Sequence, residues 1–145
     1  MNLPLVRLML GDDYEKVRRQ STLQFASRKL DRVEMIGAGV PVIFEYTRPG
    51  SEFTLPPARS FGAAVDDNHL VGVTVAPQLA YISSQAALVL VRQVDQLLQK
   101  SDWKMSKRYL NDAQARAQLE DASQDAYVTL AVEDWSRGDD EVYLK

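Results

Sequence analysis

The spacing of apolar positions divides this chain into short strands and one dominant helix. Leu3–Leu10 is apolar except at Arg7 and reads as a strand, stopped by Gly11-Asp12-Asp13. Asp12 with Glu15 three positions later has the form of a capping box. It predicts a helix from about Asp13 to Gln20 with Tyr14 and Val17 inward. Residues 21–39 show no period, because Phe25, Leu30, Val33 and Ile36 are too widely spread. Gly37-Ala38-Gly39 reads there as a breaker. Val40–Tyr46, rich in β-branched and aromatic residues, predicts a strand with Pro41 at its start or at a sheet edge. Arg48-Pro49-Gly50-Ser51 reads as a turn, Phe53–Leu55 as a short partner strand, and Pro56-Pro57 as a rigid extended connection.

A hairpin follows. Ser60–Val65 and His69–Ala76 flank Asp66-Asp67-Asn68, residue types that tolerate left-handed turn conformations. Strict alternation in the second strand sets Val71, Val73 and Val75 on one face, expected to be core, and Leu70, Gly72, Thr74 and Ala76 on the other. Ser83 or Ser84 caps the strongest element, a helix over about 84–100. Ala87, Leu90, Val91, Val94, Leu97 and Leu98 form its apolar stripe, with Arg92, Asp95, Gln96 and Gln99 opposite. Trp103 is expected to fold back and close the core. Tyr109, Leu110, Ala113, Ala117 and Leu119 predict a second, less apolar helix over about 109–122. Tyr127–Trp135 alternates as a strand, Ser136–Asp140 is a loop, and Glu141–Leu144 returns. Strands cluster in hairpins and are not interleaved one by one with helices. The fold class is therefore α+β: an antiparallel sheet of hairpins packed against the long helix (84–100) and the second helix (109–122). No repeat or linker divides the 145 residues, which read as a single domain, 1–145.

Composition narrows the chemistry more than the fold. The chain is 46% hydrophobic and 26% charged, with no cysteine and one histidine. The absence of cysteine excludes disulfides, thiolate metal sites, iron–sulfur clusters and thiol nucleophiles. The apolar runs fall well short of the roughly 20 residues of a membrane span. No basic segment followed by an apolar one marks a signal peptide. A chain trimmed of its signal looks the same, so periplasm and cytosol both fit. The formal charge of −3 conceals an asymmetry: +2 over residues 1–35, +1 over 36–110, and −6 over 111–145, where nine Asp/Glu face three Lys/Arg. The acidic third speaks against nucleic acid as a partner and is suited to steering a basic protein.

Candidate catalytic groups are few. A nucleophilic triad must use His69, the only histidine, and no Gly-x-Ser-x-Gly elbow presents a serine. Asp12/Asp13, Asp66/Asp67 and Asp139/Asp140 are acidic pairs at turns, without the alternating ligands of a calcium loop. Gly37-Ala38-Gly39 lacks the context of a phosphate-binding loop. Two carboxylates at a suitable separation, with Tyr46, Trp103, Tyr109 and Trp135 lining a sugar cleft, would make a hydrolase. No catalytic residue, metal or cofactor is assigned.

Two resemblances bear on function. Leu8-Met9-Leu10-Gly11-Asp12-Asp13-Tyr14-Glu15-Lys16-Val17 resembles the strand, glycine and short helix that open small envelope lipoproteins of the SmpA/BamE-like kind. The chain lacks the lipid-bearing cysteine of that family and places its long helix elsewhere, so no residue role is carried over. The hairpin Phe61–Ala76, the serine-capped helix ending near Trp103 and the acidic terminal hairpin together resemble small bacterial immunity-type proteins. That resemblance implies a non-enzymatic inhibitor that occludes an effector toxin. Asp134, Asp139, Asp140 and Glu141 would steer it, and Trp135 and Tyr143 would anchor it. The alternatives are an envelope assembly or scaffold subunit, forming a homodimer through a strand edge, and the carboxylate hydrolase.

Overall fold

The computed structural model describes residues 2–26, 34–80, 82–108, 113, 114, 117, 133–137 and 140–144. Among the described residues, the two helices Tyr14–Gln20 and Ser84–Lys100 and three small, mostly antiparallel sheets give an α+β protein. The chain forms two compact units, Met1–Tyr81 and Ile82–Lys145.

In the first unit, β1 (Leu5–Leu8) lies parallel to β3 (Ile43–Tyr46), and β4 (Phe53–Thr54) adds antiparallel to β3. The parallel pair departs from the all-hairpin expectation. Helix α1 (Tyr14–Gln20) lies between β1 and β3 in the chain, and a crossover of that kind allows strands to run in the same direction. Val6 and Leu8 on β1 alternate inward opposite Phe44 and Tyr46 on β3, all buried. The outer edge of β1 is closed by the residues leaving α1. Thr22 and Leu23 donate backbone N–H groups to the Leu5 carbonyl at 2.8 and 3.1 Å. Gln20 Nε2 donates to the Arg7 carbonyl at 2.7 Å, and Ser21 Oγ accepts the Arg7 N–H at 2.9 Å. The polar run Gln20-Ser21-Thr22 thus blocks an edge open to another strand.

The second sheet has the order β2-β5-β6, from β2 (Glu34–Ala38), β5 (Ser60–Asp66) and β6 (His69–Ala76). Two expectations are corrected here. Gly37 and Ala38 do not break the chain. They are strand residues paired with Gly62 and Phe61. A Cβ on Gly37 would meet the Phe61 carbonyl oxygen at 2.8 Å, so glycine is required by close approach. The valine row of β6 is not one buried face. A bulge shifts the register at Ala64/Val65, so Leu70 pairs with Val65 and Val73 with Ala63. Leu70 is buried and Val71 is 55% exposed. Asp67 and Asn68 take φ of 47° and 63°, the two left-handed residues of a type I′ turn.

The inner face of this sheet meets the first through aromatic rings. Phe61 lies 6.2 Å from Phe44 and 6.2 Å from Phe25, Phe25 contacts Tyr14, and Phe44 and Tyr46 contact Phe53.

In the second unit, α2 (Ser84–Lys100) follows the expected bounds and Ser83 is its N-cap, its side chain accepting the Ala86 N–H at 3.1 Å. Leu88, Val94 and Leu98 are buried. So is Asp95, expected on the polar side; Arg92 Nη1 donates to its Oδ2 at 2.7 Å, which allows a carboxylate on that face. The helix ends with Asp102 at φ 63° and the Trp103 N–H bonded to the Leu98 carbonyl, a Schellman closure with Leu98 and Trp103 both buried. β7 (Lys104–Arg108), β8 (Glu133–Arg137) and β9 (Asp140–Leu144) form an antiparallel sheet in that order. Of the helix expected over 109–122, residues 113, 114 and 117 are helical; the remainder, like residues 127–132 of the strand expected over Tyr127–Trp135, lies outside the described residues.

Candidate functional site

Alternation along a strand and pairing across it distribute the acidic hairpin over two faces. Asp134 pairs with Tyr143, Trp135 with Val142, Ser136 with Glu141 and Arg137 with Asp140. Directly opposed residues share a face and neighbours alternate. Positions 134, 136, 141 and 143 therefore lie on one face of the ladder, and 135, 137, 140 and 142 on the other. Trp135 and Tyr143, the two expected anchors, belong to opposite faces. Asp139 lies outside the described residues.

The same register sets basic positions against acidic ones. Lys107 pairs with Asp134 and Arg108 with Glu133. Two basic positions of β7 therefore stand at the register positions of two acidic residues of β8, a cross-strand pattern that favours the pairing. Asp140 and Glu141 sit on β9, an edge strand of its sheet, away from β7. Charge counting along the chain does not reveal this, because β7 precedes the acidic segment by some 25 residues.

In the first unit the turn acids are brought together around His69. Asp13, not Asp12, caps α1: its carboxylate accepts the Glu15 N–H at 2.9 Å and the Asn68 side-chain amide at 2.8 Å. The Asn68 bond foremost holds the Asp13 carboxyl below the usual range; desolvation opposes it, and the backbone N–H groups of Glu15 and Lys16 and the nearby His69 add smaller lowering effects. Asp12 is instead turned inward, 4% exposed, accepting from the Met9 N–H (3.0 Å), Lys16 Nζ (3.0 Å) and Gln20 Nε2 (3.3 Å). The hairpin tip docks on this segment by backbone bonds from Gly11 to Leu70, Leu70 to Asp12 and Tyr14 to Asn68, each 2.8 to 2.9 Å. His69 Nδ1 lies 2.7 Å from the Asp67 carbonyl. These bonds fasten the hairpin to α1. Among the described residues, no three of His, Asp and Glu converge as metal ligands.

Tyr46 and Trp103, considered as cleft residues, are 5% and 4% exposed and belong to the cores of their units. Tyr109 lies outside the described residues. A half-open recess is lined by Arg18, Ser21 and residues 22–25. Three of its polar side chains are engaged: Arg18 holds Glu15 with two bonds of 2.7 and 2.8 Å and donates to the Phe25 carbonyl, while Ser21 and Thr22 bond to β1.

What the sequence reading passed over is an exposed apolar surface on the sheet β2-β5-β6, where Met35 is 68% and Val71 55% exposed. Among the described residues no helix is long and apolar enough to cross a membrane. Comparison with known protein families, with curated proteins and with solved structures finds no match.

Proposed function

We propose that this chain is a protein-binding domain without a reaction of its own, an immunity-type inhibitor that occludes a basic surface of an effector toxin. The observation that supports the reading is the placement of Asp140 and Glu141 on an edge strand within a terminal third of formal charge −6. A concentration of charge of one sign steers a partner of the other and raises its association rate. An aromatic side chain among such charges supplies contact area at low entropic cost. With positions 135 and 143 on opposite faces, a partner covering one face engages either Trp135 or Tyr143.

The test is binding of the purified full chain to the product of the adjacent gene. A D140K/E141K variant should associate at least tenfold more slowly at low salt, with a much smaller change in dissociation. Absence of any complex with the wild type removes the reading. A stable self-dimer without a heterologous partner favours the envelope scaffold instead.

A further inference from the structure

The aromatic core accounts for one face of the sheet β2-β5-β6. The other face presents two large hydrophobic side chains. Met35 on β2 stands opposite Ala64 on β5, and Ala64 stands opposite Gly72 on β6, next to Val71. One row along, Gly37, Gly62 and Thr74 are opposed in the same way. Met35 and Val71 therefore rise on the two outer strands, with only Ala64, Gly62 and Gly72 between them. Strict alternation would set Val71 on the face of Val73 and Val75; the bulge turns it outward while Leu70 remains buried. Asp66 and Asp67 are both exposed at the tip end of this trough.

We infer that this trough docks one amphipathic helix of a partner protein, with its axis along β5. The partner's apolar stripe lies between Met35 and Val71, and a Lys or Arg lies over Asp66 and Asp67. The inference rests on the reading of the chain as a protein-binding domain, and it does not use the β8–β9 hairpin. Dimensions select the occupant. Two strand spacings of about 4.8 Å and five residues of about 3.3 Å give a face of roughly 200–300 Å² with side-chain width included. One helix is about 10 Å across and advances about 1.5 Å per residue, so some three turns fill the trough. The floor of glycine and alanine admits close approach, and an unbranched Met adapts to the incoming side chains. The acidic tip gives the occupant its charge.

The experiment selects helical peptides from a displayed library of random amphipathic sequences against the full-length chain, then measures their affinity for four variants. Selected peptides should carry apolar residues at i, i+3 or i+4 and i+7, with Lys or Arg at one end. M35E and V71E should each weaken binding tenfold or more. D66N/D67N should weaken it at least threefold and flatten its salt dependence, and D140K/E141K should leave it unchanged. Circular dichroism and melting temperature identify any variant that fails to fold, and V71A, expected to weaken binding at least threefold, replaces V71E in that case. Equal binding to wild type, M35E and V71E overturns the inference, as does recovery of no binder or of binders without basic residues. A wild-type dimer in sedimentation that M35E abolishes also overturns it, in favour of a second copy. If M35E still binds the adjacent-gene product and D140K/E141K does not, the trough is excluded while the proposed function stands.

Discussion

The Asn68 side-chain amide donates to the Asp13 carboxylate at 2.8 Å, joining the turn of the β5–β6 hairpin to the first turn of α1 across 55 positions of sequence. The Asn68 carbonyl accepts the Tyr14 N–H at the same distance. One left-handed residue therefore holds both the turn and the helix start.

This contact makes stability depend on acidity. The Asp13 carboxyl is held below its usual 3.8, so the unfolded chain binds the proton more readily than the folded one. The stabilisation is complete above 3.8 and is lost as pH falls through the lower folded value. Melting temperature measured from pH 5 to pH 2.5 should fall more steeply for the wild type than for D13N. Parallel curves would separate the bond from the acid response.

Asp12 and its partner Lys16 should respond unequally. D12A leaves the Met9 N–H without its acceptor and the Gln20 amide with the Arg7 carbonyl in place of two acceptors, and should cost about 1–3 kcal/mol in denaturant unfolding. The Lys16 side chain is 48% exposed, so K16M should cost no more than about 1 kcal/mol.

The bulge predicts a sharp contrast between neighbours. L70A removes a fully packed side chain and should destabilise by about 2–5 kcal/mol. V71A, one residue on, should stay within about 0.5 kcal/mol of wild type. A larger cost for V71A than for L70A would mean that β6 alternates without a bulge.

The ends of α2 offer two opposite changes. S83A removes the acceptor for the Ala86 N–H and should cost about 1 kcal/mol. D102G relieves a non-glycine residue at φ 63° and should stabilise by about 1 kcal/mol. Urea midpoints at constant slope would check both.

The elements most legible in the sequence were those determined by local signals. The 17 residues of α2 fell at their expected bounds, because an apolar stripe and a serine cap are both short-range features. The hairpin was legible from Asp66-Asp67-Asn68 for the same reason, while the structure narrowed its turn to the two residues Asp67 and Asn68. The Asp12 capping box was misplaced by one residue. Which of two adjacent aspartates caps depended on distant groups: Asn68 for Asp13, and a buried pocket with Lys16 and Gln20 for Asp12.

The candidate surfaces divide in the same way. The acidic bias of the terminal third is a property of composition and could be counted. Its partition into two faces, the register of Lys107 and Arg108 against Asp134 and Glu133, and the exposure of Met35 and Val71 depend on pairing between strands far apart in the chain. By itself the sequence determined the helix α2, the hairpin turn, the α+β class and the scarcity of reactive side chains, since each follows from local propensity or from which residues exist. Only the tertiary structure decided that β1 and β3 run parallel, that Gly37 lies within a strand, and that a bulge turns one valine outward. Those outcomes follow from cross-strand register and close packing, where the partner of each residue is set by the whole fold.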